Sequence, residues 1–221
     1  MQEVITQDGT ITYRNNDVDE TYHSHSGAEA EAREKYAKQV QKYLNEKDEI
    51  VIYDACFGLG YNSAATIDLI QSKKLRIYCF ENDIKILSKI PFLNANFQSY
   101  SKIKSFIHKF LTQKEPEQLS SNLELRMVHG DIKKRIKEKR EKADYILYDP
   151  FSPTKQPDLW TKEIFKDLYS QMTEHAYLFT YSCARHARDN MRTAGFEVID
   201  GPIIGRRSPS TIAIKKQNKN N

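Results

Sequence analysis

Three observations predict an α/β fold built on a mostly parallel sheet with an antiparallel final strand. Short apolar runs alternate with helical stretches from about residue 50 to residue 181. Such alternation implies βαβ units and a parallel sheet. The alternation breaks at the end, where Phe196–Asp200 and Ile212–Lys215 are separated only by the loop Gly201–Ser210. Two strands with no helix between them pair antiparallel, because a parallel crossover needs a longer connection.

The elements follow in order. Val4-Ile5-Thr6 and Thr10–Tyr13 flank Asp8-Gly9, a hairpin-turn signal. A polar patch of Tyr22, His23, Ser24 and His25 leads to a helix from Ala28 to about Glu46, with Tyr36, Val40, Tyr43 and Leu44 on one face. Strands are expected at Ile50–Asp54, Leu75–Phe80, Leu123–Val128, Asp144–Tyr148 and Tyr177–Tyr181. Helices are expected at Ser63–Gln71, across a longer Ile84–Leu111 region, and at Ile132–Lys139, Leu159–Met172 and Ala184–Thr193. Gly195 stops the last of these. Glu115–Asn122 reads as a polar loop. Residues 1–46 are expected to pack as a hairpin and helix on a main domain at 47–216, with 217–221 as a flexible tail.

The bulk numbers restrict the class. At 221 residues the chain is most simply one core-forming unit. Hydrophobic residues make up 39% and charged residues 29%, which excludes a disordered chain. The net charge of +4 permits an anionic partner without requiring one. Cys56, Cys79 and Cys183 lie in or beside apolar runs without metal or disulfide spacing, so free thiols are expected. No run is long enough for a membrane span and no leader is evident, so a cytoplasmic, metal-free protein is expected.

Four strand exits carry the chemistry. The first runs into Asp54-Ala55-Cys56-Phe57-Gly58-Leu59-Gly60-Tyr61-Asn62, which holds two of only eight glycines. They allow a tight turn and close approach of a ligand. Ser63 stands where a dinucleotide fingerprint wants a third glycine, which argues against NAD. The second exit gives Glu81, placed to accept ribose hydroxyls, with Asp83 better suited to capping a helix. The third gives Gly130-Asp131-Ile132, where Asp131 meets an adenine amino group or caps the next helix, roles that are compatible, and Ile132 packs on the ring. The fourth gives Asp149-Pro150-Phe151-Ser152-Pro153, a carboxylate and a carbonyl held rigid by proline at the end of an apolar strand.

In this order the four exits resemble the motif series of the Rossmann-like class I S-adenosylmethionine-dependent methyltransferases. A narrower match follows from the FGxGxN core at Phe57–Asn62 and from Asp149-x-Phe151-x-Pro153-x-Lys155-x-Pro157-x-x-Trp160. These resemble the MnmC-type tRNA methyltransferases, as do Tyr22-His23-Ser24 with Gly27-Ala28-Glu29 and Gly205-Arg206-Arg207. The resemblance implies S-adenosylmethionine as cofactor and methylation of the aminomethyl group on the wobble uridine of tRNA, hence contact with the anticodon region. It corresponds to a stand-alone methyltransferase without the flavin-dependent partner domain. Cys56 and Pro150 depart from glycines common in the family, and Pro150 moves its motif toward the Asp/Asn-Pro-Pro-aromatic signature of amino methyltransferases.

The resemblance and the strand exits together assign Asp149 and Pro150 to catalysis. Tyr22, Ser24, Asp54, Phe57, Gly58, Gly60, Asn62, Glu81, Asp131, Ile132 and Asp149 are assigned to the cofactor. Phe151, Lys155, Trp160, Arg206 and Arg207 are assigned to the substrate, although a ring on the core is the favoured reading of Trp160 and a solvated surface explains Arg188. The helix face with Lys133, Lys134 and Arg135 is read as solvent-exposed. Rival functions are transfer to another amine, aminopropyl transfer (whose Gly-Gly-Gly-Asp-Gly loop is absent) or a non-catalytic RNA-binding scaffold.

Overall fold

The computed structural model describes residues 1–204 and 207–216. The expected tail 217–221 and the substrate candidate Arg206 lie outside the described residues.

Strand β4 (Glu49–Ala55) is the centre of the sheet, parallel to β5 (Lys74–Glu81) on one side and to β8 (Ala143–Tyr148) on the other. The remaining strands are β6 (Glu117–Leu119), β7 (Leu123–His129), β9 (Met172–Thr180), β10 (Glu197–Asp200) and β11 (Thr211–Ile214). Their spatial order is β10-β11-β9-β8-β4-β5-β7-β6. The chain runs outward from β4 through β5 to β7, then returns to β8 on the opposite side of β4. The order therefore reverses between β4 and β8, the crevice where open α/β sheets bind ligands. The fold is an α/β Rossmann-like sheet, and β11 runs antiparallel to β9 and to β10 as expected.

Period-2 alternation sorts the strand residues into two cores. On one face Ile50, Ile52, Leu75, Ile77, Tyr145 and Leu147 pack with Tyr36 and Val40 of helix α1 (28–42). Ala64 and Ile67 of α2 (Tyr61–Leu69) join the same core. On the other face Tyr53, Ala55, Phe80, Ile146 and Tyr148 pack with later helices, as the six-residue buried run of β8 requires of a strand covered on both sides.

Several elements are shorter than the sequence suggests. The Ile84–Leu111 region breaks at Pro91, leaving α3 (Ile84–Leu87), a single 3₁₀ turn at Ile90–Phe92 and α4 (Tyr100–Gln113). Helix α5 covers only Ile132–Arg135. Helix α6 (Lys162–Ser170) starts at its N-cap Thr161, because Pro157 lies in a separate turn at Pro157–Leu159. The expected polar loop at 115–122 contains β6, an antiparallel edge strand on β7. Helix α7 is Arg185–Thr193.

Ahead of the main sheet, β1 (Gln2–Ile5), β2 (Ile11–Asn15) and β3 (Glu20–Thr21) form a small antiparallel sheet. Asp8 does more than turn the hairpin. Its Oδ2 accepts from the backbone N–H of Glu29 and Ala30, 3.0 and 3.1 Å away, and so ties β1–β2 to the start of α1. Within α1, residues Ala32–Ala37 form a π-helical segment.

Candidate active site

Two cavities open beyond the carboxyl ends of β4, β5, β7 and β8. The larger, about 600 Å³, is lined among others by Cys56, Gly58, Glu81, Asp131, Ile132 and Asp149. The smaller, about 230 Å³, is lined by Glu20, Ser24, Glu31, Lys35 and Tyr181 among others. Tyr22, His23, Asp149, Pro150 and Phe151 belong to the walls of both. A chamber of the larger size suits a nucleoside bearing an amino-acid tail.

The first loop leaves β4 through Cys56, whose φ of 69° is a left-handed conformation that usually calls for glycine. Gly58 and Gly60 follow at φ 55° and 75°. A Cβ on Gly60 would come within 2.6 Å of Phe57 Cζ and 2.9 Å of Ile103 Cγ2, so only glycine fits there. Glu81, at the end of β5, accepts from the backbone N–H of Gly58, Asn82 and Asp83, each at 2.8 Å. Burial nonetheless raises its carboxyl above the ordinary range. Asp131 caps α5 by accepting from the Lys133 N–H at 3.0 Å and also lines the large cavity.

Asp149 follows β8 directly, and its own N–H is held by the Ala55 carbonyl at 3.1 Å. Its two carboxylate oxygens are clamped separately. Tyr36 Oη donates to Oδ1 at 2.7 Å, and Asn62 Nδ2 donates to Oδ2 at 2.8 Å. Burial, then the nearby Glu31 charge, pushes the Asp149 carboxyl up to about 7, against the opposing pull of Tyr36, Asn62 and Lys35. A carboxylate so placed accepts a proton near neutrality. Glu31 itself is paired with Lys35 at 2.6 Å, both side chains buried, and accepts from the Ser24 N–H at 3.1 Å.

A strap from the N-terminal sheet crosses the loop that follows β8. Glu20 Oε2 accepts from Ser152 N and Oγ at 3.0 and 2.8 Å. The Tyr22 ring lies 5.0 Å from that of Phe151, and its hydroxyl donates to Asp83 Oδ2 at 2.6 Å. Asp83 also caps α3 through the Lys85 N–H, the role expected of it.

The structure thus gathers Tyr22, Gly58, Glu81, Asp131, Ile132, Asp149, Pro150 and Phe151 around the large cavity, and Ser24 at the smaller one. It separates others from both cavities. Asp54 is wholly buried behind the first loop, bonded to Ser63. Phe57 lies in the core with its ring edge under Gly60, and Gly60 shapes the turn without lining a cavity wall. Asn62 acts on Asp149 from behind. Trp160 is buried, with Nε1 donating to the Phe151 carbonyl at 2.8 Å, so it props the loop. Lys155 is exposed and pairs with Asp19 at 3.1 Å, and Arg207 is exposed on its loop. Tyr36, Glu31, Lys35 and Tyr181 were not expected in the site. Tyr36 carried only the signature of an apolar helix face, and Glu31–Lys35 that of a surface i,i+4 pair.

A family model for S-adenosyl-L-methionine-dependent methyltransferases matches residues 93–216, more than half of the chain. The chain belongs to that family. The methyltransferase superposes on MnmC2 from Aquifex aeolicus with a TM-score of 0.76 and 32% identity, over 96% of this chain and 69% of that one. It is 29% identical to an uncharacterized protein of Methanocaldococcus jannaschii, over 97% of this chain and 60% of the relative. It is 28% identical to the tRNA 5-methylaminomethyl-2-thiouridine biosynthesis bifunctional protein MnmC of Ralstonia nicotianae, over 88% of this chain. The methyltransferase spans 60% of the first of these relatives and 32% of the second. Among the described residues no helix is long and apolar enough to cross a membrane, and no cluster of three or more His, Cys, Asp or Glu could hold a metal ion.

Proposed function

We propose that this methyltransferase acts on a primary amine, the aminomethyl group of 5-aminomethyl(-2-thio)uridine at the tRNA wobble position, giving the 5-methylaminomethyl product. The observation that carries the proposal is Asp149, which lies in the common wall of a cofactor-sized cavity and a smaller acidic one. The likeness to MnmC2 and MnmC supports the choice of tRNA, approached through the anticodon region in the cytoplasm.

Bound S-adenosylmethionine would supply an electrophilic methyl group on a sulfonium. The cavity fits it on two counts: its volume of about 600 Å³ holds a nucleoside with an amino-acid tail, and Gly58 has no Cβ to narrow the wall beside Tyr22. Glu81 would take the ribose hydroxyls, and Asp131 and Ile132 the adenine. Tyr22 would close over the ligand from the strap.

An alkylamine arrives protonated near neutral pH and has no lone pair in that form. Glu20, Glu31 and Asp149 face the small cavity against the single lysine Lys35, so the chamber favours a cation. Asp149, with its carboxyl near 7, would take the amine's proton and orient the lone pair toward the larger cavity. Orientation of this kind can supply roughly 7–11 kcal/mol of a barrier.

Asp149→Ala should keep cofactor affinity within a few-fold by calorimetry while methyl transfer to tRNA falls 10²-fold or more in a radiolabel assay. Near wild-type turnover would sink the assignment. Nucleoside mass spectrometry of tRNA from a deletion strain tests the substrate: unmethylated aminomethyluridine should accumulate, and unchanged wobble uridines refute it.

A further inference from the structure

A primary amine that attacks a methyl group uses its lone pair for the new bond and still carries two N–H groups. In a closed chamber both need acceptors. Asp149 provides one, since each of its oxygens holds a single donor and can take another. The Pro150 carbonyl receives the Tyr181 hydroxyl at 3.1 Å, which leaves it one lone pair at most.

His23 also lines both cavities and, unlike Tyr22, whose hydroxyl is paired with Asn15 and Asp83, makes no side-chain hydrogen bond. Its side chain is only 6% exposed, yet neither ring nitrogen has a hydrogen-bond partner. Leaving such groups buried and unsatisfied costs stability. The ring is held in place by stacking on Tyr61, with centroids 4.9 Å apart and planes at 24°. Burial lowers its pKa to about 4, so near neutral pH it is an uncharged imidazole with one acceptor nitrogen and one N–H. Its neutrality matters here, because an imidazolium would repel both an ammonium and a sulfonium.

We propose that His23 is a substrate-binding residue whose unpaired ring nitrogen accepts one N–H of the reacting amine while Asp149 accepts the other. The inference rests on the amine-methylation reading above and adds the second acceptor that reading requires. His23 thereby discriminates for an amine with two free N–H groups. Transfer gives a secondary ammonium that still has two N–H groups; once it gives up a proton to solvent the secondary amine keeps only one and loses a contact, which favours its release after a single transfer.

The full chain with His23→Phe tests this, since a phenyl ring preserves the stack on Tyr61 and removes both nitrogens. Methyl transfer to aminomethyluridine tRNA should fall 10- to 100-fold, with S-adenosylmethionine affinity within twofold and a thermal midpoint equal to or above wild type. His23→Gln, which restores an acceptor, should recover part of the turnover. Turnover of His23→Phe within threefold of wild type overturns the proposal, as does a loss of activity that merely tracks a loss of stability. A second measurement does not depend on tRNA. In ¹⁵N-histidine spectra of the protein with S-adenosylhomocysteine, the ring signal absent from His23→Phe should move when ethylamine is added to 100 mM. A signal that stays put overturns the proposal. If wild type methylates no tRNA, the substrate reading fails alone, and the ethylamine titration still decides His23.

Discussion

Asp54 offers a quantitative test because its burial and its chemistry conflict. It is wholly buried, Ser63 Oγ donates to Oδ2 at 2.6 Å, and Oδ1 has no partner. Burial above all raises its carboxyl to about 8, with the charge of Asp149 adding to the shift. The unfolded chain releases this proton near pH 3.9, whereas the folded chain keeps it to about 8. Across that window the native state binds more protons, so stability falls as pH rises, and the penalty is absent below pH 4. Four units at about 1.4 kcal/mol each set a ceiling of about 6 kcal/mol at alkaline pH. Asp54→Asn has the same shape and cannot ionise. It should lie within about 1 kcal/mol of wild type at pH 4.5 and exceed it by at least ~2 kcal/mol at pH 8.5, where the wild-type carboxyl must ionise in the core. Urea unfolding followed by Trp160 fluorescence at half-unit pH steps and constant ionic strength measures the difference. A variant less stable than wild type at pH 8.5, or a difference flat with pH, refutes the reasoning. A large loss of S-adenosylmethionine affinity would instead return Asp54 to the cofactor role its sequence position suggests.

Gly60→Ala adds a Cβ 2.6 Å from Phe57 Cζ at a φ of 75°, and left-handed strain plus overpacking should cost about 2–5 kcal/mol in urea unfolding. Tyr36→Phe removes a hydrogen bond that lowers the Asp149 pKa, so that pKa rises above about 7. The base form is then reached later, and the rising limb of the kcat/KM profile should move to higher pH. The same substitution should cost about 1 kcal/mol of stability, read by thermal melting. Glu81→Gln turns one acceptor oxygen toward backbone donors as an amide NH₂. It should destabilise by about 1–3 kcal/mol in urea and weaken S-adenosylmethionine tenfold or more by calorimetry.

What could be read from the sequence follows from how local each signal is. The buried run of β8, the Gly58–Gly60 turn and the carboxylate positions Glu81, Asp131 and Asp149 are set by neighbours in the chain, and all lie where strand exits were expected. The sheet's antiparallel close needed only the length of one loop. Motif membership, however, does not distinguish a residue that faces a cavity from one that holds the wall up. Phe57, Asp54, Asn62 and Trp160 stand inside the motifs and act from behind. Tyr36 and Glu31 could not be located, because their meeting with Asp149 spans more than 110 residues of chain. Their orientation also depends on a π-helical segment that apolar periodicity at 3.6 residues cannot register.

That segment has a consequence for how the site could be lost. In a regular α-helix five residues advance the chain by about 140° beyond a full turn, so Tyr36 and Glu31 would diverge. A π turn closes on the fifth residue and brings them to one side, where both act on Asp149. At unchanged length, holding residues 32–37 in ordinary α winding would turn Tyr36 away from the side Glu31 occupies, and so away from Asp149, whereas losing one residue there would leave the two only four apart and still on one face. The sheet and the glycine turn would be untouched. Whether Asp149 keeps its tyrosine clamp therefore hangs on the phase of one helix, and the length of residues 32–37 and their winding have to change together for the site to survive.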